Sequence, residues 1–316
     1  MEWTIRRYYP EDAGVWDEFV DNSRNGTFLF KRGYMDYHSD RFHDCSWMAF
    51  KGNKLLALLP ANIDSEMTLH SHQGLTYGGW ILPPAHLDGA DLLEIFRTSI
   101  HIWREEGIER LDYKPVPWIY ASRPSDEDIY ALFRLGARQT EVNLSSTIDL
   151  QAPIHYNKLR KRALKTASRF PFKIVEMEDA VRFMAVVEQC LRERHEAAPV
   201  HSASEIELLR NRFPENIKLF GIEYQEEIVA AVMIFDTGVV AHAQYIATTS
   251  LGRELNLLTP LFDWLIRNRY SGHRYFDFGT SNENHGFYLN EGLLRQKFSY
   301  GATGVAYQRF ELDLQH

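Results

Sequence analysis

Cysteine is almost missing: Cys45 and Cys190 are the only two in 316 residues. Two thiols cannot build a disulfide framework, and neither sits in a CxxC pair, so a reducing, cytoplasmic setting is expected. No stretch approaches the ~20 apolar residues that a membrane helix needs, which limits membrane work to peripheral contact. The start, Met1-Glu2-Trp3-Thr4-Ile5-Arg6, has no apolar run behind its charges, so no signal peptide is expected. Tracts rich in Gly, Pro or Ser are missing too, and with them any evident flexible linker. Positive charge is scarce overall: the formal net charge is −8, which argues against a DNA partner and against broad coating of nucleic acid.

The remaining composition is that of a globular chain, with 45% hydrophobic, 25% charged and 13% aromatic residues. The length suits two domains of roughly 150 residues each. One segment breaks the acidic balance. Lys158, Arg160, Lys161, Arg162, Lys165 and Arg169 follow one another with no acid among them. Tyr156 to Arg169 reads as a helix with Leu159, Ala163 and Ala167 on one side and basic residues opposite.

The two halves repeat one order of elements. A hairpin is expected around Lys51-Gly52-Asn53-Lys54 and again around Gln225-Glu226-Glu227. A strand with tyrosine follows, Leu75 to Gly79 and Ala243 to Ala247. Next comes a long helix, from Asp88 to Gly107 and from about Glu254 to Tyr270. A short strand is then centred on Asp112 or Asp277, before another helix, a Gly-Ala pair and a closing strand. Asp112 and Asp277 are 165 positions apart, as are Gly136 and Gly301; Tyr77 and Tyr245 are 168 apart. This agreement points to an internal duplication. The expected class is α/β with mixed (α+β) sheets, in two tandem domains, 1–153 and 154–316, the second beginning with the basic helix.

Three stretches carry a family resemblance. Asn25-Gly26-Thr27-Phe28-Leu29 with Tyr34 looks like the opening segment of the FemAB-like branch of the GCN5-related N-acetyltransferase superfamily. Lys158 to Lys165 resembles that branch's arginine-rich helix. Tyr275-Phe276-Asp277-Phe278-Gly279, then Gly292 to Phe298 and Gly301-Ala302, resembles its ending. The chain departs from the pattern at Gln296, where an aromatic residue is usual, and in lacking both the coiled-coil arm of some members and the glycine-rich pyrophosphate signature. The resemblance implies two tandem acyl-CoA N-acyltransferase-like domains and transfer of an acyl group or amino acid to an amine. It also implies that Lys297 faces the ligand channel, where its charge would neutralise phosphate or an oxyanion.

Other candidates come from the residues themselves. Asp277 reads as a base or as a carboxylate anchoring its neighbours, and the matching Asp112 favours the anchor. Ser281, Asn282 and His285 lie in a polar loop after that strand, where an acceptor or a plain solvated turn would fit. Tyr245 could donate a proton to a leaving group, or be a core tyrosine. Next to it, Gln244 shares a face with His242, read as structural. Ser250, Gly252, Arg253 and Asn256 stand where a helix N-terminus would meet a donor's phosphate, or where an ordinary cap would form. Arg160 and Arg162 are candidates for an anionic substrate. His70-Ser71-His72 on a strand, with His38 and His43 nearby in sequence, lacks the ligand set of zinc, and no metal is expected.

The expected activity is direct transfer in a ternary complex from acyl-CoA to an amine of a small or cell-envelope precursor acceptor, with Asp277, Tyr245 and Lys297 as the catalytic set. Aminoacyl-tRNA is the alternative donor. A non-catalytic phosphoryl-ligand binding protein is the alternative of a different class.

Overall fold

Tight turns between apolar strands set the frame in both halves. In a computed structural model that describes residues 3–195 and 199–315, the chain forms two compact units. One holds residues up to 143, 284–287 and 306 onward; the other holds 144–283 and 288–305. The sequence leads one to expect a division at 153/154, whereas the compact units divide within the two closing strands.

The first unit contains β1 (Trp3–Arg7), β2 (His43–Asp44), β3 (Trp47–Lys51), β4 (Lys54–Leu59), β5 (Asn62–Ile63), β6 (Thr68–His70) and β7 (Arg110–Tyr113). β1, β3 and β4 make an antiparallel sheet, with Gly52 (φ 61°) in the β3–β4 turn. β2, β5, β6 and β7 pair in that order, and only β6 and β7 run parallel. Their crossover is the helix Gly89–Glu105. Asp88 caps it by accepting from the N–H groups of Ala90 and Asp91, and Leu92, Phe96, Ile100 and Trp103 are buried along one face. Gly107 (φ 77°) then turns the chain out of the helix.

Each unit is completed by the closing strand of the other sequence half. β8 (Arg138–Asp149) places residues 145–149 against the aspartate strand of the second unit. The last strand of the chain, Thr303–Asp313, places residues 310–313 against β7 in the first.

In the second unit β9 (Lys173–Glu176), β10 (Ile217–Tyr224), β11 (Glu227–Asp236), β12 (Val240–Thr248) and β13 (Tyr275–Thr280) follow. Their order is β8-β13-β12-β11-β10-β9, antiparallel throughout except for β12 and β13. Gln225 (φ 52°) and Glu226 (φ 68°) make the β10–β11 turn. Helix Ala203–Arg212 opens on the Ser202/Glu205 capping box read from the sequence.

Three sequence readings change here. The helix expected from Glu254 to Tyr270 is broken into Ser250–Glu254 and Leu258–Trp264, the latter running on into a wider π turn at Leu265–Arg269. Asn256 (φ 59°) makes the break, since asparagine tolerates the left-handed region. The basic helix spans Lys158–Ala167 and is rotated from the expected face: Arg160 and Ala167 are buried while Leu159 is 69% exposed. Finally, Tyr77 and Tyr245 are not equivalent. Tyr245 lies within β12, but Tyr77 lies outside the strands, just before isolated bridges at Gly78 and Ile81.

The matched positions are histidines. His70 on β6 pairs in register with Asp112 on β7, as His242 on β12 pairs with Asp277 on β13. In the first unit His70 Nδ1 lies 2.7 Å from Asp112 Oδ2 and its Nε2 lies 2.8 Å from Asp64 Oδ2. Arg309 forks onto the same Asp112 carboxylate at 2.6 and 2.7 Å. Burial alone would raise the Asp112 pKa; His70 and Arg309 outweigh it and hold it at about 2. Because the folded value lies below the ordinary 3.8, this carboxylate stabilises the fold above pH ~4, an effect lost as pH falls towards ~2. Between pH ~4 and ~2 the unfolding free energy measured in urea should fall by roughly 2 kcal/mol more for the native chain than for the Asp112→Asn variant. Equal acid sensitivity of the two chains would contradict the assignment.

Candidate active site in the second unit

β12 and β13 run side by side for only three residue pairs, ending at His242 and Asp277. Beyond that point β12 stays on β11 as far as Thr248, while β13 continues on β8, where Thr280 pairs with Ser145. Two local features make the strands part. Gln244 is the extra residue of a bulge on β12, where Ala243 and Tyr245 face consecutive residues of β11. Gly279 takes φ 74° directly after the aspartate strand. A gap between parallel neighbours leaves main-chain groups without a ladder partner, which is where a ligand can add its own.

Asp277 sits at the head of the gap. Phe276 and Phe278 turn to the other face and pack in the core with Phe262 and Tyr300. The Asp277 carboxylate is fully buried and well supplied with donors: Ser145 Oγ and Thr147 Oγ1 each at 2.6 Å, His242 Nδ1 at 2.7 Å and the Gly279 N–H at 3.3 Å. Burial pushes its pKa up, but His242 and the two hydroxyls outweigh that and hold it below the usual carboxylate range. The carboxylate is thereby enclosed by donors, His242 among them.

Lys297 comes from the helix Glu291–Phe298 and is 6% exposed. Its ammonium donates to the carbonyl oxygens of Gly279 (2.9 Å) and Thr280 (2.6 Å), groups freed by the departure of β13 from β12. Burial lowers its pKa to about 8, opposed by the charge of Asp277. Ser281 is 2% exposed, and its Oγ has no partner among the described residues. Asn282 instead closes the backbone: its Oδ1 accepts from the Leu144 N–H at 2.6 Å.

The other expected site residues are dispersed. Tyr245 is half-buried, its hydroxyl 2.9 Å from His201 Nδ1, and burial raises its pKa. The segment expected to cradle phosphate is largely engaged with itself. The Thr249 side chain accepts from the Gly252 N–H at 3.1 Å. Arg253 donates to the Thr248 carbonyl at 2.6 Å, to Ser250 Oγ at 2.7 Å and to Glu193 at 3.1 Å. A Cβ at Gly252 would stand 2.2 Å from the Val229 carbonyl oxygen, so the short helix needs glycine to lie against β11. Asn256 supplies the helix break. Arg160 is buried over the Tyr300 ring, 3.9 Å from its centroid, and donates to Ser299 Oγ and Thr259 Oγ1. It is an internal tie between helices, while Arg162 is exposed. His285 (φ 51°) is exposed and belongs to the first unit, 3.5 Å from Glu141 there.

Sequence reasoning missed His242 as Asp277's partner, and His201. A signal for the first was present: each half carries a histidine on the strand that precedes its aspartate strand. Matching Tyr77 to Tyr245 hid it. Nothing comparable flags His201, which reaches Tyr245 from a loop 44 residues away.

Residues 155–286 match the model of the Acetyltransferase (GNAT) domain. No curated protein sequence matches the chain. Among solved structures, FemX superposes with a TM-score of 0.70 at 10% identity, covering 99% of this chain and 97% of its own. The C-terminal domain of a putative lysylphosphatidylglycerol synthetase from Agrobacterium fabrum gives 0.60 at 13% identity, covering 96% and 92%. A tandem GNAT protein from the clavulanic acid biosynthesis pathway gives 0.55 at 13%, covering 100% and 99%. At such identities the likeness is one of fold. Residues 155–286 are thus similar to a GNAT domain, within a chain whose fold is like that of FemX and of the tandem GNAT protein.

Proposed function

We propose that this protein is an N-acyltransferase that moves an acyl group from acyl-CoA to the amine of a small or cell-envelope precursor acceptor, by direct transfer in the second unit. The observation that carries this reading is the parting of β12 and β13 immediately beyond the His242–Asp277 pair. A thioester laid in that gap can add to the edge of β12, whose N–H groups facing β13 would polarise the carbonyl. The acceptor amine attacks that carbon, and His242 Nε2 takes the proton the nitrogen sheds. Asp277 stabilises the resulting imidazolium without itself being protonated. An ammonium has three N–H bonds, and Lys297 uses two on Gly279 and Thr280. The third is free to serve the oxyanion. When the intermediate collapses, the C–S bond breaks, and Tyr245 with His201 supplies the proton to the departing thiolate. Ser281, with its unpartnered hydroxyl, is assigned to the acceptor.

A second reading rests on the segment from Thr248 to Arg253. Its internal bonds leave fewer groups for a CoA pyrophosphate, which favours an aminoacyl ester carried by tRNA as donor. The chemistry at the gap is the same. Incubation of the chain with acetyl-CoA, and separately with charged tRNA, against a panel of amines distinguishes the donors by the product formed. Turnover with neither would leave a binding protein and end the transferase reading.

The assigned roles predict different outcomes for neighbouring residues. His242→Ala should lower kcat/KM by about 10²–10⁴-fold, the usual span for a lost general base, and should also lower the melting temperature, because the buried Asp277 carboxylate loses a hydrogen-bond donor. Asp277→Asn should lower activity and also destabilise the fold by about 3–5 kcal/mol, because the donors on a buried charge lose their partner. If His242→Ala retains full activity, the base is elsewhere. Gly252→Ala should weaken folding by about 1–3 kcal/mol through overpacking against Val229, measured by urea unfolding; unaltered stability would restore a ligand role for that glycine.

A further inference from the structure

The helix Lys158–Ala167 presents charge that the fold does not use. Lys158, Lys161, Arg162, Lys165 and, just beyond it, Arg169 are exposed, and none has a carboxylate partner among the described residues. At about 100° per residue they share one outward arc of the helix. Leu159, on the flank of that arc, is 69% exposed. It lines an open cleft of about 590 Å³ together with Gly292, Arg295 and Phe298 of the helix Glu291–Phe298. Phe298 and Leu293 on that second helix are each 38% exposed. Arg160, between Leu159 and Lys161, is consumed internally, so the exposed cations hold no part of the core together.

We propose that the face formed by these two helices docks on a lipid bilayer that contains anionic phospholipids. The unpaired cations meet headgroup phosphates, and Leu159, Leu293 and Phe298 enter the boundary of the acyl chains. Charge complementarity selects the occupant's sign: the segment holds six cations and no acid in a chain of net charge −8, so an anionic surface attracts this face and repels the remainder. The exposed apolar groups select its kind. A nucleic-acid backbone would account for the cations, but single-stranded recognition uses aromatic platforms for stacking, and two of the three apolar groups here are leucines. The proposal is independent of the acyl-transfer reading.

Cosedimentation of the full chain tests it, with vesicles of phosphatidylcholine alone and of phosphatidylcholine mixed with phosphatidylglycerol, at low and high salt. Binding is expected only to the mixed vesicles, and should weaken as salt rises. The triple variant Lys158→Ala, Lys161→Ala, Lys165→Ala should lower partitioning by roughly fivefold per cation removed. Leu159→Ser should lower it several-fold while leaving the salt dependence as it was. Circular dichroism of each variant separates lost docking from lost folding. Equal partitioning to both vesicle types, no effect of Leu159→Ser in a folded chain, or tRNA binding without vesicle binding would each overturn the proposal.

Discussion

A buried carboxylate must be surrounded by donors, and that requirement organises both units. In each, the aspartate at the end of a short parallel pair takes a histidine from the neighbouring strand. In the second unit the carboxylate of Asp277 is completed by Ser145 and Thr147, which arrive on β8. In the first, Asp112 is completed by Arg309 from the chain's last strand. The closing strands therefore do more than fill an edge. Each brings donors that, together with the histidine, satisfy the buried aspartate of its unit.

The same motif has been given two characters by its third partner. Asp64 holds the second nitrogen of His70 at 2.8 Å, so that imidazole is clasped between two carboxylates, which raise its pKa even though burial lowers it. His242 faces Asp277 through Nδ1, beside strands that part rather than continue. One imidazole is enclosed between two carboxylates, and the other stands where two strands diverge. Lys297 adds to this difference by tying down the carbonyls that the parting exposes.

The fold was largely legible because its signals are local and periodic: the capped helix after Asp88, the Ser202–Glu205 capping box and the paired hairpins all formed where the pattern placed them. The site was less legible because its contacts join distant positions. Arg160 looked like one more cation of a basic run, yet two hydroxyls and the Tyr300 ring remove it from the surface. Gly252 looked like a phosphate glycine, and only the nearness of the Val229 carbonyl reveals a packing role. His242 was set aside as a lone strand histidine, since register between parallel strands cannot be read from one strand. Equating two tyrosines misaligned the halves by a few positions, enough to hide the paired histidines.

The central claim is that the acyl donor occupies the space between β12 and β13. A structure of the chain with coenzyme A bound tests it most directly. The account requires the thiol end of the pantetheine to lie beside β12 past His242, within reach of His242 Nε2 and across from Gly279. Coenzyme A bound with its thiol remote from His242, or strands that remain closed to it, would contradict the account.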